Sequence, residues 1–186
     1  LLALISGFVV LTVGLVLSKS FLGWLNTSPA IIDQSALYLK IYFLGAPFNL
    51  IYNFGAAILR SKGDTKRPLY FLCVSGVTNM VLNIFFVVFL KMSVAGVAIA
   101  TISSQYLSAA AVTVYLMTRK GKSYQLIPSM LGIKASHLKR ILLIGIPSGV
   151  QMAMYTIGNM LLASAVNTFP TEVMSARTIA TNIDVL

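Results

Sequence analysis

The sequence predicts an all-α integral membrane protein, a polytopic helical bundle, and two observations carry that reading. Of 186 residues, 58% are hydrophobic and only 10% are charged, whereas a soluble domain carries about 25% charged residues. Too little polar material remains to cover a surface facing water. The charges are also clustered, leaving uncharged runs at 1–18, 41–59, 68–90, 92–118 and 141–171. A helix crossing about 30 Å of hydrocarbon needs roughly 20 mostly apolar residues at 1.5 Å each. The middle runs meet that length.

The first run predicts a helix already under way at Leu1 and ending near Leu17. It lacks the basic leader and small-residue cleavage site of a signal peptide, and both chain ends read as cut within helices. A second helix is expected from Pro29, with Ser28 as cap and Pro29 at the first helical position, to about Leu59. A third follows Pro68 and ends near Leu90, and a fourth covers Val94 to Thr118. A fifth runs from Leu138 to Val166 and a sixth starts near Glu172, so five to six helices are present. Gly45-Ala46-Pro47 and Gly145-Ile146-Pro147 predict kinks, since proline removes a backbone donor and frees a carbonyl.

Lysine and arginine alternate along the connections. The first carries Lys19, with Lys40 just inside the second helix, and the third carries only Lys91. Residues 60–67 hold Arg60, Lys62, Lys66 and Arg67, and residues 119–140 hold Arg119, Lys120, Lys122, Lys134, Lys139 and Arg140. Short basic loops stay on the cytoplasmic side, so segments 60–67 and 119–140 are expected there in a multi-pass inner-membrane protein. Phe21 and Trp24 suit the opposite interface. The longest connection, 119–137, is punctuated by Gly121, Pro128 and Gly132, and its apolar residues allow a short surface helix. It divides the chain into 1–118 and 138–186.

The net charge of +10 belongs to these topology signals and does not favour nucleic acid. Cys73 alone makes neither a disulfide framework nor a thiol metal site. His137 reads as a surface residue beside Lys139 and Arg140. There is no Ser/His/Asp set, paired metal ligand or phosphate loop, so neither an enzyme nor a cofactor is expected.

Polar residues within the apolar runs recur at helical spacing. They are Tyr38, Tyr42, Asn49 and Asn53; Ser75, Asn79 and Asn83; Thr101, Ser104, Gln105 and Ser108; and Ser148, Gln151, Tyr155 and Asn159. Residues three and four apart share a helix face. Such stripes serve either helix packing or a water-filled pathway; a single Ser or Thr suits packing, while four stripes that include several amides are expected to line a shared aqueous cavity. Asp184, twelve residues after Glu172, lies roughly 18 Å along the sixth helix. A carboxylate at that depth costs about 3 kcal/mol unless paired or wet.

Several of these pieces, in this order, resemble the multidrug and toxic compound extrusion (MATE) family. They are Gly45-Ala46-Pro47, Ile58-Leu59-Arg60 with Gly63-Asp64-Thr65 and Pro68, Asn79 with Asn83, and Gly96 to Thr101. Gly145 to Gly149 with Gln151, and Ala176 to Asp184, continue the likeness, which covers essentially the whole chain. The resemblance implies the middle of a two-lobe, twelve-helix antiporter, with 1–118 in the N-terminal lobe, 119–137 as cytoplasmic link and 138–186 opening the C-terminal lobe. It implies export of cationic or amphipathic drugs against Na⁺ or H⁺ by alternating access. It also implies a cation site at Asn79, Asn83 and Thr101, where Asn83 is an amide in place of the family's acid. An amide oxygen can meet Na⁺ but cannot cycle a proton. Gln151, Tyr155, Asn53 and Asp184 are the candidate cavity and coupling residues. The rival expectations are a lipid-linked oligosaccharide or polysaccharide flippase, which would need cavity Arg or Lys for phosphate, and a non-transporting membrane scaffold.

Overall fold

The computed structural model describes residues 1–24, 32–119, 121, 124–128 and 132–166. The described residues form helices and no strand. They are α1 (Leu2–Trp24), α2 (Ile32–Leu44), α3 (Ala46–Ser61), α4 (Lys66–Ile84), a π-helical continuation of α4 (Phe85–Phe89), α5 (Val94–Thr118) and α6 (Ala135–Val166). Four helices are long and apolar enough to cross a membrane, within Leu2–Leu22, Lys66–Phe89, Val94–Thr118 and Ala135–Leu162. The pair α2 and α3, bent by 42°, adds a fifth crossing when taken as one span. Much of this apolar surface stays exposed: only 6% of the α4 window and 17% of the α1 window are buried. Water would not tolerate such patches, so these faces meet lipid or further protein.

The chain divides into two compact units, Leu1–Gly132 and Ile133–Leu186. In the first, α5 is central and packs against α2, α3 and α4, while α1 packs against α2 and α3. The sequence of α5 explains its place. Ala100, Ser104 and Ser108 recur every fourth residue and are buried, as are Ala98 and Ala109. Small side chains on one face let neighbouring backbones come close, which drives helix association where lipid supplies no hydrophobic contrast. A larger core lies between α3 and α5, formed by Tyr52, Ala56 and Leu59 against Ala109, Val112 and Leu116.

Glycines set the closest approaches. A Cβ on Gly7 of α1 would stand 2.6 Å from the Cα of Pro47, and one on Gly55 of α3 would stand 2.7 Å from a methyl of Val112. A Cβ on Gly14 would enter the Phe43 ring.

The structure corrects several sequence expectations. The first helix does not end near Leu17; it continues to Trp24. A charge such as Lys19 limits an apolar run without breaking a helix, and Lys19 reaches Asp33 at the start of α2, 3.2 Å away. Lys19 and Phe21 are therefore helical rather than loop residues. The second helix is not one rod to Leu59. It breaks at Gly45, where Pro47 has no N–H to offer the carbonyl of Phe43, and Asn49 N–H donates to the Gly45 carbonyl at 3.0 Å. The expected start at Ser28 and Pro29 lies outside the described residues. The third helix begins at Lys66, so Pro68 occupies its first turn, where its missing donor costs nothing. Its end widens into a π turn, with Leu90 N–H donating to the Phe85 carbonyl at 3.2 Å.

The 119–137 connection is shorter than expected, since α6 already starts at Ala135, and its described residues before that point form no α-helix. Instead Leu126 N–H donates to the Leu116 carbonyl at 3.0 Å. Tyr124 and Leu126 pack against the α3–α5 core. These two side chains therefore face protein, while Ile127 and Ile133 are exposed.

The described part of the second unit is dominated by α6, which carries Pro147 inside it and exposes its apolar side chains from Ile141 to Leu162. The sixth predicted helix, with Arg177 and Asp184, lies outside the described residues.

Two glycine substitutions separate kinds of close approach. In the full-length protein, Gly14→Ala should lower the melting temperature and Phe43→Leu should partly restore it, because only a side chain stands in the way. Gly7→Ala meets the Pro47 backbone, so it should cost about 1–3 kcal/mol with no side-chain rescue. Thermal unfolding in detergent checks both.

Candidate functional site

The polar stripes of α4 and α5 meet. Thr101 and Ser104 each donate their hydroxyl proton back into α5, Thr101 Oγ1 to the Val97 carbonyl at 2.9 Å and Ser104 Oγ to the Thr101 carbonyl at 2.8 Å. Their lone pairs are thereby left for α4. Asn79 Nδ2 fills that role, 3.5 Å from Thr101 Oγ1 and 3.4 Å from Ser104 Oγ. Asn79 Oδ1 in turn accepts from Asn83 Nδ2 at 3.0 Å. The chain of bonds ends at Asn83 Oδ1, which is buried and has no hydrogen-bond partner. Buried acceptors are nearly always satisfied, so this oxygen is an open valence in the helix interface.

One turn before Asn79 in α4, Ser75 Oγ donates to the Ser104 carbonyl at 2.5 Å and is buried. It belongs to the same stripe, spaced four residues from Asn79, and fixes the rotation of α4 about its axis. With the helix so oriented, Asn79 and Asn83 must face α5.

The cluster consists of neutral groups. Among the described residues no three His, Cys, Asp or Glu side chains gather where they could hold a metal ion. The donor set is two amides and two hydroxyls, all oxygen ligands of the hard kind that suits an alkali cation better than a transition metal.

A second orphan acceptor lies nearby in the chain, Gln105 Oε1, buried against Gly45 at the break between α2 and α3. The sequence placed Gln105 on the polar stripe; its meeting with the Gly45 break was not legible, since it depends on how α5 rotates against the bent pair.

The other predicted residues stand apart from the cluster. Asn53 donates to the Asn49 carbonyl at 2.9 Å and to Asn49 Oδ1 at 2.8 Å, within α3 and on an exposed face. Tyr38 and Tyr42 stack on each other along α2, with ring centroids 6.1 Å apart. Gln151 and Tyr155 lie one turn apart on an exposed face of α6. Of the four stripes, two are therefore joined by hydrogen bonds between partly buried side chains of α4 and α5.

The expected cost of cutting this network is modest and graded. Asn79→Ala removes the residue bonded on both sides and should destabilise the full-length protein by about 1 kcal/mol, whereas Asn83→Ala, at the open end, should cost about half as much. Chemical or thermal unfolding of both variants in detergent checks the order.

Comparisons with known proteins agree with this architecture. The MatE family model matches residues 1–85. The chain is 37% identical over 180 residues to the probable multidrug resistance protein YpnP of Bacillus subtilis (strain 168), covering 92% of this chain and 40% of that protein. It is 31% identical over 164 residues to the probable multidrug resistance protein NorM of Thermotoga maritima, covering 83% of this chain and 34% of that protein. Among solved structures it superposes on an inward-facing multidrug resistance MATE family transporter of the MOP superfamily. That match has a TM-score of 0.71 and 26% identity, over 79% of this chain and 33% of the other. The chain thus spans about 40% or less of the length of the relatives it matches. The sequence and the backbone of this helical, multi-pass chain both match those of MATE family transporters.

Proposed function

We propose that the full-length protein is a secondary active efflux transporter of the plasma membrane, exchanging cationic or amphipathic drugs for Na⁺ or H⁺ by alternating access. The observation that carries this reading is the Asn79–Asn83–Thr101–Ser104 chain with its orphan acceptor at Asn83 Oδ1. That oxygen is free to accept from water or to meet a cation.

The chemistry favours Na⁺ at this position. An amide carbonyl and two hydroxyl oxygens can share a desolvated monovalent cation, while none of these groups carries a proton across pH 7. Proton coupling would have to use a carboxylate elsewhere, for which Asp184 is the candidate within this chain. Gln151, Tyr155 and Asn53 are read as cavity-wall residues, polar enough to hold water and, in the tyrosine, a ring face suited to an organic cation. Alternating access fits the Gly45–Pro47 break, because a helix already interrupted bends without losing further backbone hydrogen bonds.

The test is transport of ethidium by the full-length protein in vesicles under an imposed Na⁺ or proton gradient. A Na⁺ gradient should drive it, and Asn83→Ala should raise the half-saturating Na⁺ concentration about tenfold, the effect of one lost bond to a charged ligand. Transport driven by protons alone and indifferent to Asn83 would move the coupling site to a carboxylate, with Asp184 the candidate within this chain. No transport under either gradient would refute the exporter reading.

A further inference from the structure

The turn between α3 and α4 is built more firmly than a connection needs to be. Gly63 takes a left-handed conformation, φ +80°, and Lys62, Gly63 and Asp64 N–H groups return to the carbonyls of Leu59 and Arg60 at 2.9–3.0 Å. This closes the end of α3 through its own backbone. Asp64 then holds Arg67 twice, through the Arg67 backbone N–H at 3.3 Å and through Nη1 at 2.6 Å. The buried hydroxyl of Tyr52 donates to the Pro68 carbonyl at 2.8 Å and ties the start of α4 to α3.

The result is a pocket of about 430 Å³ lined by Lys62, Gly63, Asp64, Lys66, Arg67 and Tyr70. Residues 60–67 hold four cations and one carboxylate, and that carboxylate is committed to Arg67. Arg60, Lys62 and Lys66 have no ion-pair partner among the described residues. A fifth cation stands close by. The Arg67 and Arg119 guanidinium carbons lie 4.9 and 4.5 Å from the centroid of the same ring, that of Tyr115. Two like charges on one ring are held there by the ring's negative faces, and their shared field calls for an anion.

What lies below the pocket says which anion. Lys66, Tyr70, Val74, Val77 and Val81 follow one face of α4 at helical spacing. The last four are 63%, 58%, 63% and 58% exposed. An apolar track more than half exposed thus runs from the pocket down a membrane-spanning helix. We infer that the pocket binds the phosphate of an anionic phospholipid, with Lys62 and Lys66 meeting the headgroup and the acyl chain lying along Tyr70, Val74 and Val77. A soluble phosphate would use the cations but leave the track unused. Arg67, fixed by Asp64 and Tyr115, positions the wall of the site.

This assignment is independent of what the protein transports and is tested by lipid selectivity. The full-length protein is placed in phosphatidylcholine vesicles containing spin-labelled phosphatidylglycerol or spin-labelled phosphatidylcholine, and the motionally restricted fraction of each label is compared. The protein should prefer phosphatidylglycerol, and Lys62→Gln and Lys66→Gln should each lower that preference about fivefold. Both side chains are exposed, so folding should be retained; the unmodified protein supplies a second reading, since rising salt should erode the preference. The pair Lys139→Gln and Arg140→Gln, exposed on α6, should leave it unchanged. An equal fall in that control pair, or no fall at Lys62 and Lys66, would overturn the site. Full displacement of the labelled lipid by millimolar inorganic phosphate would reassign it to a soluble anion and overturn the lipid reading.

Discussion

Close backbone approach at small residues is the constraint on which the rest of this structure depends. In a membrane, lipid tails are as apolar as leucine, so helices gain little by hiding apolar side chains from their surroundings. What remains is contact between backbones and the few polar groups that contact brings within reach. Gly7 against Pro47 and Gly55 against Val112 fix the approach of α1 and α5 to α3. The buried Ala100, Ser104 and Ser108 face of α5 admits its neighbours closely enough for Asn79 to meet Thr101 and Ser104. Larger residues at those positions would hold the helices apart, and the amides would have nothing to bond.

The polar groups then divide by what they satisfy. Most serine and threonine hydroxyls return to carbonyls of their own helix, as Ser6, Thr12, Thr78, Ser148 and Thr156 do. Such bonds spare a hydroxyl from lipid and assign no function. The α4–α5 amides differ because they link two helices and still leave one oxygen open. Charge is sparse within the described spans, where Lys40 of α2 is the deepest, and gathers near their ends, most densely around residues 60–67.

Much of this was legible in sequence. Spans were set by apolar length, and the α5 limits, Val94 and Thr118, coincide with the predicted ones. Gly45-Ala46-Pro47 announced a break because proline lacks a donor wherever it stands. The spacing of Ser75, Asn79 and Asn83 announced a polar face. Which helix that face meets was not legible, because the azimuth of one helix against another is settled by side-chain volumes on both. The same reason hid the sharing of Tyr115 between Arg67 and Arg119. Its Arg119 half, four residues along one helix, was available from spacing alone; the Arg67 half needed the tertiary structure. Helix ends failed where charge was taken as punctuation, as at Lys19. The stretch from Glu172 to Asp184 lies outside the described residues.

The break at Gly45 also bears on how the chain enters the bilayer as it is made. With 13 residues α2 is about 20 Å long, and with 16 residues α3 is about 24 Å. Neither half reaches across about 30 Å of hydrocarbon. The two therefore enter the bilayer as one bent segment, in which Pro47 has no N–H to offer the Phe43 carbonyl. A carbonyl short of a donor is costly in bare lipid, so the segment gains from packing first on α1, the helix synthesised just before it, and then on α5.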